Sequence, residues 1–144
     1  MKIAIGSDHA GFEMKEIIKA YLQSIGIEYH DYGTYNTDSM DYPDTGKAVA
    51  QAVANHHQEK GILICGSGIG MSIVANKFSG IRAALCHCSE FAKLSREHND
   101  SNILVLAGRF TPEEQAKDIV KTWLDTPFSN DPRHLKRIEK IEKN

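Results

Sequence analysis

A chain of 144 residues with 41% apolar side chains can bury one core but hardly two, so a single domain spanning residues 1–144 is expected. Its 17 basic and 19 acidic side chains leave a net charge of −2. No global field then gathers nucleic acid or an anionic membrane, and any anionic ligand must meet a local basic cluster. The longest unbroken apolar run, Ile103 to Ala107, is far too short to cross a bilayer, the segment through Asp8 lacks the pattern of a secretion signal, and three cysteines cannot all pair. A soluble protein of the reducing cytoplasm is the expectation.

Short β-rich runs alternate with longer helical patterns along the whole chain. Lys2 to Ser7 reads as the first strand. Met14, Ile17, Ile18, Tyr21, Leu22 and Ile25 then share one helical stripe, and Gly26 supplies the stop. Ile27 to Tyr32 reads as a second strand. A polar loop through Gly33, Asn36, Asp38, Ser39 and Pro43 follows, long enough to be functional, and helical spacing resumes from Thr45 to His57. Gly61 to Cys65 is a compact apolar strand that runs into Gly66-Ser67-Gly68-Ile69-Gly70 and a helical stretch ending near Lys77. Ile81 to Cys86 reads as a fourth strand, Ser89 to His98 as a short helix and Ile103 to Leu106 as a fifth strand. Thr111-Pro112-Glu113-Glu114 has the order of a capped helix start, ahead of a stripe of Ala116, Ile119, Val120, Trp123 and Leu124. After Pro127 a last, basic helix runs from Pro132 to about Glu142. Five β units joined by helices predict an α/β fold, a doubly wound (Rossmann-like) open parallel sheet with helices on both faces, and ligands at its carboxyl edge.

That edge is predicted to collect Asp8 and His9, then Cys65 and the glycine loop, then Gly108 and Arg109. Gly66, Gly68 and Gly70 open backbone N–H groups to an anion or oxyanion at a helix start. Neither the dinucleotide fingerprint, which fails at Met71, nor the Walker pattern is present, so no nucleotide cofactor is expected. Cys65 precedes the loop; a thiol near a helix amino end can serve as base or nucleophile, and a buried, inert core cysteine is the alternative. Asp8 and His9 can handle protons or hydroxyls, or Asp8 can simply cap a helix. His98 can complement a helix dipole. Arg133 and Arg137, four apart, project from one face and with Arg109 can clamp a phosphate; a solvated basic helix is the competing reading. Cys86-His87-Cys88 lacks a second ligand pair, so no metal site is expected. His30, His56, His57 and His134 have no evident partner and read mostly as surface residues.

Five segments carry a resemblance: IGSDHAGFEMK at 5–15, DYPD at 41–44, ICGSGIGMSIVANKF at 64–78, GIRAAL at 80–85 and SREHNDSNILVLAGR at 95–109. In order and spacing, over essentially the whole chain, they resemble the type B ribose-5-phosphate isomerases, a family shared with galactose-6-phosphate isomerase subunits. The resemblance implies aldose–ketose isomerisation of a phosphorylated sugar with no metal and no organic cofactor. It gives Cys65 the role of the base moving a proton between C1 and C2, and Ser67, where many relatives have threonine, a hydroxyl-handling role. Asp8 would hold sugar hydroxyls and assist at the ring oxygen, Tyr42 would line the sugar site, His98 would open the furanose ring and Asn99 would bind the enediolate. His9, Arg109, Arg133 and Arg137 would grip the phosphate, so the helix from about 132 becomes part of the site. The resemblance further implies a homodimer or dimer of dimers with sites shared between subunits, the His98, Asn99 and Arg109 region reaching across. A six-carbon substrate, allose 6-phosphate or, with a partner subunit, galactose 6-phosphate, is the alternative to ribose 5-phosphate. A non-enzymatic sugar-phosphate sensor is a further one.

Overall fold

Alternate residues of the central strands are buried on opposite sides, which builds two helical layers around one sheet in the computed structural model, which describes residues 1–143. The elements are β1 (Lys2–Ser7), α1 (Phe12–Ser24), β2 (Glu28–Asp31), α2 (Tyr42–Ala54), β3 (Lys60–Cys65), α3 (Ile69–Ala75), β4 (Ala83–Leu85), α4 (Ser89–Glu97), β5 (Ile103–Ala107), α5 (Glu113–Asp125) and α6 (Pro132–Glu142). All five strands are parallel, in the order β2-β1-β3-β5-β4. Ile3, Ile5, Ile62, Ile64, Leu104 and Leu106 pack with α1, α4 and α5. Ala4, Leu63, Cys65, Ile103 and Val105 take the other parity and pack with α2 and α3. The predicted open parallel sheet with helices on both faces is therefore the fold. No helix among the described residues is long and apolar enough to cross a membrane.

The chain leaves β1 toward β2 on one side and returns to β3 on the other. The loops after β1 and β3 consequently diverge and leave a crevice at their carboxyl ends, where doubly wound sheets bind ligands. The stripe predicted for α5 is buried at all five positions. Its predicted cap is not formed: the helix starts at Glu113 after an extended Pro112, without a side-chain cap hydrogen bond. The second helix starts at Tyr42, not Thr45. Pro43 lies in its first turn, where a missing N–H costs nothing, rather than in the loop. The fourth strand shrinks to Ala83–Leu85 because side chains take the preceding backbone: Asn102 Oδ1 accepts from the Arg82 N–H (2.8 Å) and Asn76 Oδ1 from the Ala83 N–H (2.8 Å).

Lys15 is fully buried in α1, a placement that apolar periodicity does not predict. Its ammonium donates to both Asp31 oxygens (2.6 and 2.8 Å) and to the Thr34 carbonyl, and Lys19 adds a bond to Asp31 Oδ2 (2.9 Å). The rings of Phe12 and Tyr35 flank Lys15 at 5.5 and 5.2 Å. This knot ties β2 and the loop after it to α1. Burial alone would raise the Asp31 pKa, but the bonds from Lys15, Lys19 and the Gly33 N–H hold it below its ordinary value. A depressed carboxylate contributes stability that is present above its unfolded pKa of about 4 and lost as pH falls through the lower native value. Asp31→Asn is therefore expected to cost about 2–3 kcal/mol in urea unfolding at pH 7, and the gap to wild type should narrow at pH 3. A gap independent of pH would contradict the assignment.

Candidate active site

The crevice between the ends of β1 and β3 is built largely by backbone. Gly68 has φ +78°, a left-handed conformation that residues with a Cβ rarely adopt, and a methyl there would also run into Leu85 Cδ1, so glycine turns the chain from β3 into α3 at this point. A methyl on Gly70 would meet the Tyr42 ring at 2.7 Å; its absence lets the aromatic ring lie on the first turn of α3. The Gly66 and Cys65 carbonyls accept from the Arg109 and Gly108 N–H groups (3.0 and 2.8 Å), which locks the loop after β5 beside the glycine loop. Ser67 Oγ accepts from the Ile69 N–H (3.2 Å), leaving its own hydroxyl hydrogen to donate. Among the described residues, no protein acceptor takes the N–H groups of Gly66, Ser67 or Gly68.

A cavity of about 550 Å³ opens here. Asp8 and His9 line it from the end of β1, Tyr42 from the start of α2, Cys65, Gly66, Ser67 and Gly70 from the end of β3 and the loop into α3, and Arg109 from the loop after β5. Cys65 has the parity of Leu63 and is 5% exposed, packed against the α2 and α3 layer yet on the cavity wall. Asp8 is buried. Its Oδ1 accepts from the Gly11 N–H (2.9 Å), steadying the turn before α1, which begins only at Phe12. His9 Nδ1 accepts from the Met40 N–H (3.2 Å), so in the neutral ring Nε2 carries the proton. The same bond pins the end of the long loop beside the cavity. Exposed Ile69, Ile73 and Phe110 form an apolar rim.

His98, Asn99, Arg133 and Arg137 are elsewhere in the chain. They line a second cavity, of about 360 Å³, between the end of α4 and α6. The 13 site residues expected from the sequence thus divide. Asp8, His9, Tyr42, Cys65, Gly66, Ser67, Gly70 and Arg109 lie together, Gly68 shapes their loop from behind, and four others form a separate group. Arg109 lies in the Cys65 cavity, as the shared strand edge predicts because β5 ends next to β3, and not with His98 and Asn99, with which the resemblance groups it.

Three side chains serving the second cavity escape sequence reasoning. Arg82 donates to the Asn99 and Asp100 carbonyls (3.1 Å each). The nearly buried Arg96 bonds Asp100 Oδ1 (2.8 Å) and the Ser101 carbonyl (2.6 Å), so the Asn99–Asp100 turn is braced from two sides. His134, expected at the surface, is buried and rests against His98. Its burial follows from the α6 periodicity it shares with Ile138. Burial pushes the Cys86 thiol up to about 11, so it stays protonated. Among the described residues no three His, Cys, Asp or Glu side chains are grouped as metal ligands. A hollow of about 640 Å³ lies at the opposite, amino edge of the sheet, around Lys2, Tyr29 and His30, remote from the glycine loop.

Comparison with known proteins gives the chain its relatives. The Ribose/Galactose Isomerase family model matches residues 3–141. Ribose-5-phosphate isomerase B of Escherichia coli (strain K12) is 47% identical over 140 residues, 97% of this chain and 93% of that protein. D-erythrulose-4-phosphate isomerase of Pectobacterium atrosepticum is 41% identical over 142 residues, 98% and 93% of the two chains. The crystal structure of a ribose 5-phosphate isomerase from Thermotoga maritima superposes with a TM-score of 0.97 at 53% identity, covering 99% of this chain and 98% of that one.

Proposed function

As the chain belongs to the Ribose/Galactose Isomerase family and is a sugar-phosphate isomerase, we propose that it interconverts ribose 5-phosphate and ribulose 5-phosphate with Cys65 as the base. The observation that carries this reading is a thiol on the wall of a cavity that Gly66 and Ser67, whose N–H groups have no protein acceptor among the described residues, and Arg109 also line.

His98 gives a proton to the ring oxygen while the C1 hydroxyl releases its own to water, and the ring opens to the aldehyde. Cys65, as the thiolate, takes the proton from C2. The electron pair moves into the C1 carbonyl, and the enediolate oxygens are met by the glycine-loop N–H groups and by Asn99. Cys65 returns the proton to C1 while the proton on O2 passes to O1, which leaves a carbonyl at C2 and a hydroxyl at C1, the ketose. Asp8 and the Ser67 hydroxyl hold the sugar hydroxyls, and Tyr42 lines the sugar chain. His9, Arg109, Arg133 and Arg137 hold the phosphate, which keeps the reacting carbons at the thiol.

These roles require both cavities at one substrate. A second copy of the chain supplies the missing half: its His98, Asn99, Arg133 and Arg137 complete the Cys65 cavity, and its surface covers the apolar rim of Ile69, Ile73 and Phe110. The proposed unit is a homodimer, alone or paired into a tetramer.

Comparing kcat/KM of the purified chain on ribose 5-phosphate, allose 6-phosphate and galactose 6-phosphate tests the reading. Ribose 5-phosphate is expected to lead by about tenfold or more, the scale on which a pocket senses one extra carbon. A lead for either six-carbon sugar would replace the substrate, and binding without turnover would replace the enzyme by a sensor. Arg137→Ala is expected to raise KM for ribose 5-phosphate about ten- to a hundredfold with a smaller change in kcat, as loss of a charged phosphate contact should.

A further inference from the structure

His98 is the C-cap of α4, and its ring lies 4.4 Å from that of His134, centroid to centroid, with the planes tilted by 39°. His134 is 8% exposed in the first turns of α6, whereas His98 is exposed, so the buried ring forms the support and the exposed ring is the one supported. The support is itself fixed. His134 Nδ1 is 2.8 Å from Ser129 Oγ, the same oxygen accepts from the Asp131 N–H (3.2 Å), and Asp131 caps α6 through the Arg133 N–H (2.8 Å). Ser129 also donates its own N–H to the carbonyl of Glu97, the residue before His98 (3.2 Å). The contacts close a ring: Glu97, His98, His134, Ser129 and back to Glu97.

We propose that His134 is a positioning residue for His98, holding that imidazole at the angle from which it exchanges a proton with the furanose oxygen. The proposal rests on the reading of His98 as the ring-opening group. With Nδ1 committed to Ser129, His134 retains one free nitrogen, and its ring face is occupied by His98. Its expected influence is therefore on ring opening rather than on proton transfer at C1 and C2. A residue that held α6 or the phosphate would instead affect every step that needs bound substrate.

The two roles separate because ribulose 5-phosphate has no furanose form: its carbonyl is at C2 and its C5 oxygen is esterified. Exchange of its C1 hydrogen for deuterium in D2O, followed by proton NMR, needs the base and the phosphate grip but no ring chemistry. Full-length wild type, His134→Ala and His134→Phe are compared in this exchange and in steady-state turnover of ribose 5-phosphate. His134→Ala is expected to lower kcat on ribose 5-phosphate about tenfold, part of the 10²–10⁴ that a positioned acid–base group contributes, with KM and C1 exchange each within about threefold of wild type. His134→Phe keeps a flat ring beneath His98 and is expected to recover most of the lost kcat. The proposal is overturned by an equal fall in exchange and turnover, by a rise in KM at constant kcat, or by a phenylalanine variant no better than the alanine one. Wild-type protein that exchanges and turns over neither pentose phosphate would refute the functional reading itself, and the positioning role with it.

Discussion

Cys65→Ala is expected to lower kcat on ribose 5-phosphate by at least about 10³-fold while the dissociation constant for the sugar phosphate, titrated directly into the inactive variant, stays within about threefold. The split follows from where the sulfur sits. It lies on the cavity wall at the end of β3, whereas the groups proposed to grip the phosphate, His9 and Arg109, stand on other strand ends. Loss of one sulfur atom from a cavity wall should cost about 1–2 kcal/mol of stability, too little to unfold an ordinary domain. Cys65→Ser should recover little, because an alcohol is a far weaker acid than a thiol and its alkoxide is scarcely populated. Parallel losses of affinity and turnover would mean that Cys65 only shapes the cavity.

The features legible in the sequence are those governed by local periodicity and chain order. The stripe of α5 could be read because each of its five apolar residues faces the same layer. The meeting of Asp8, Cys65 and Arg109 could be read because strand ends in a parallel sheet share an edge. What could not be read depends on partners distant in sequence. Lys15 looks like a surface lysine until Asp31 and Thr34 arrive beside it through β2. His134 looks solvated until α6 packs over the end of α4 and brings Ser129 and His98 against it. The shortening of β4 depends on Asn76 and Asn102, whose side chains compete for backbone groups 7 residues away in the first case and 20 and 22 residues away in the second.

The division of the site is the largest such case. Residue spacing placed Arg133 and Arg137 on one helical face and the glycine loop after a strand, but nothing in those spacings says that the two features lie in different cavities of one chain. Single-chain geometry leaves each cavity with half of the proposed chemistry. Base, glycine-loop N–H groups and Arg109 are on one side; ring-opening imidazole, Asn99 and two guanidinium groups are on the other.

Complementation between two inactive variants tests this arrangement most directly. Cys65→Ala retains the His98 half, and His98→Asn retains the Cys65 half. Each alone is expected to turn over ribose 5-phosphate at no more than a few per cent of the wild-type rate. After co-refolding in equal amounts, half of the dimers are mixed and one of the two sites in each carries both intact halves, so activity should return to about a quarter of wild type. Mixed dimers that form without recovering activity would contradict a catalytic centre shared between two copies of the chain.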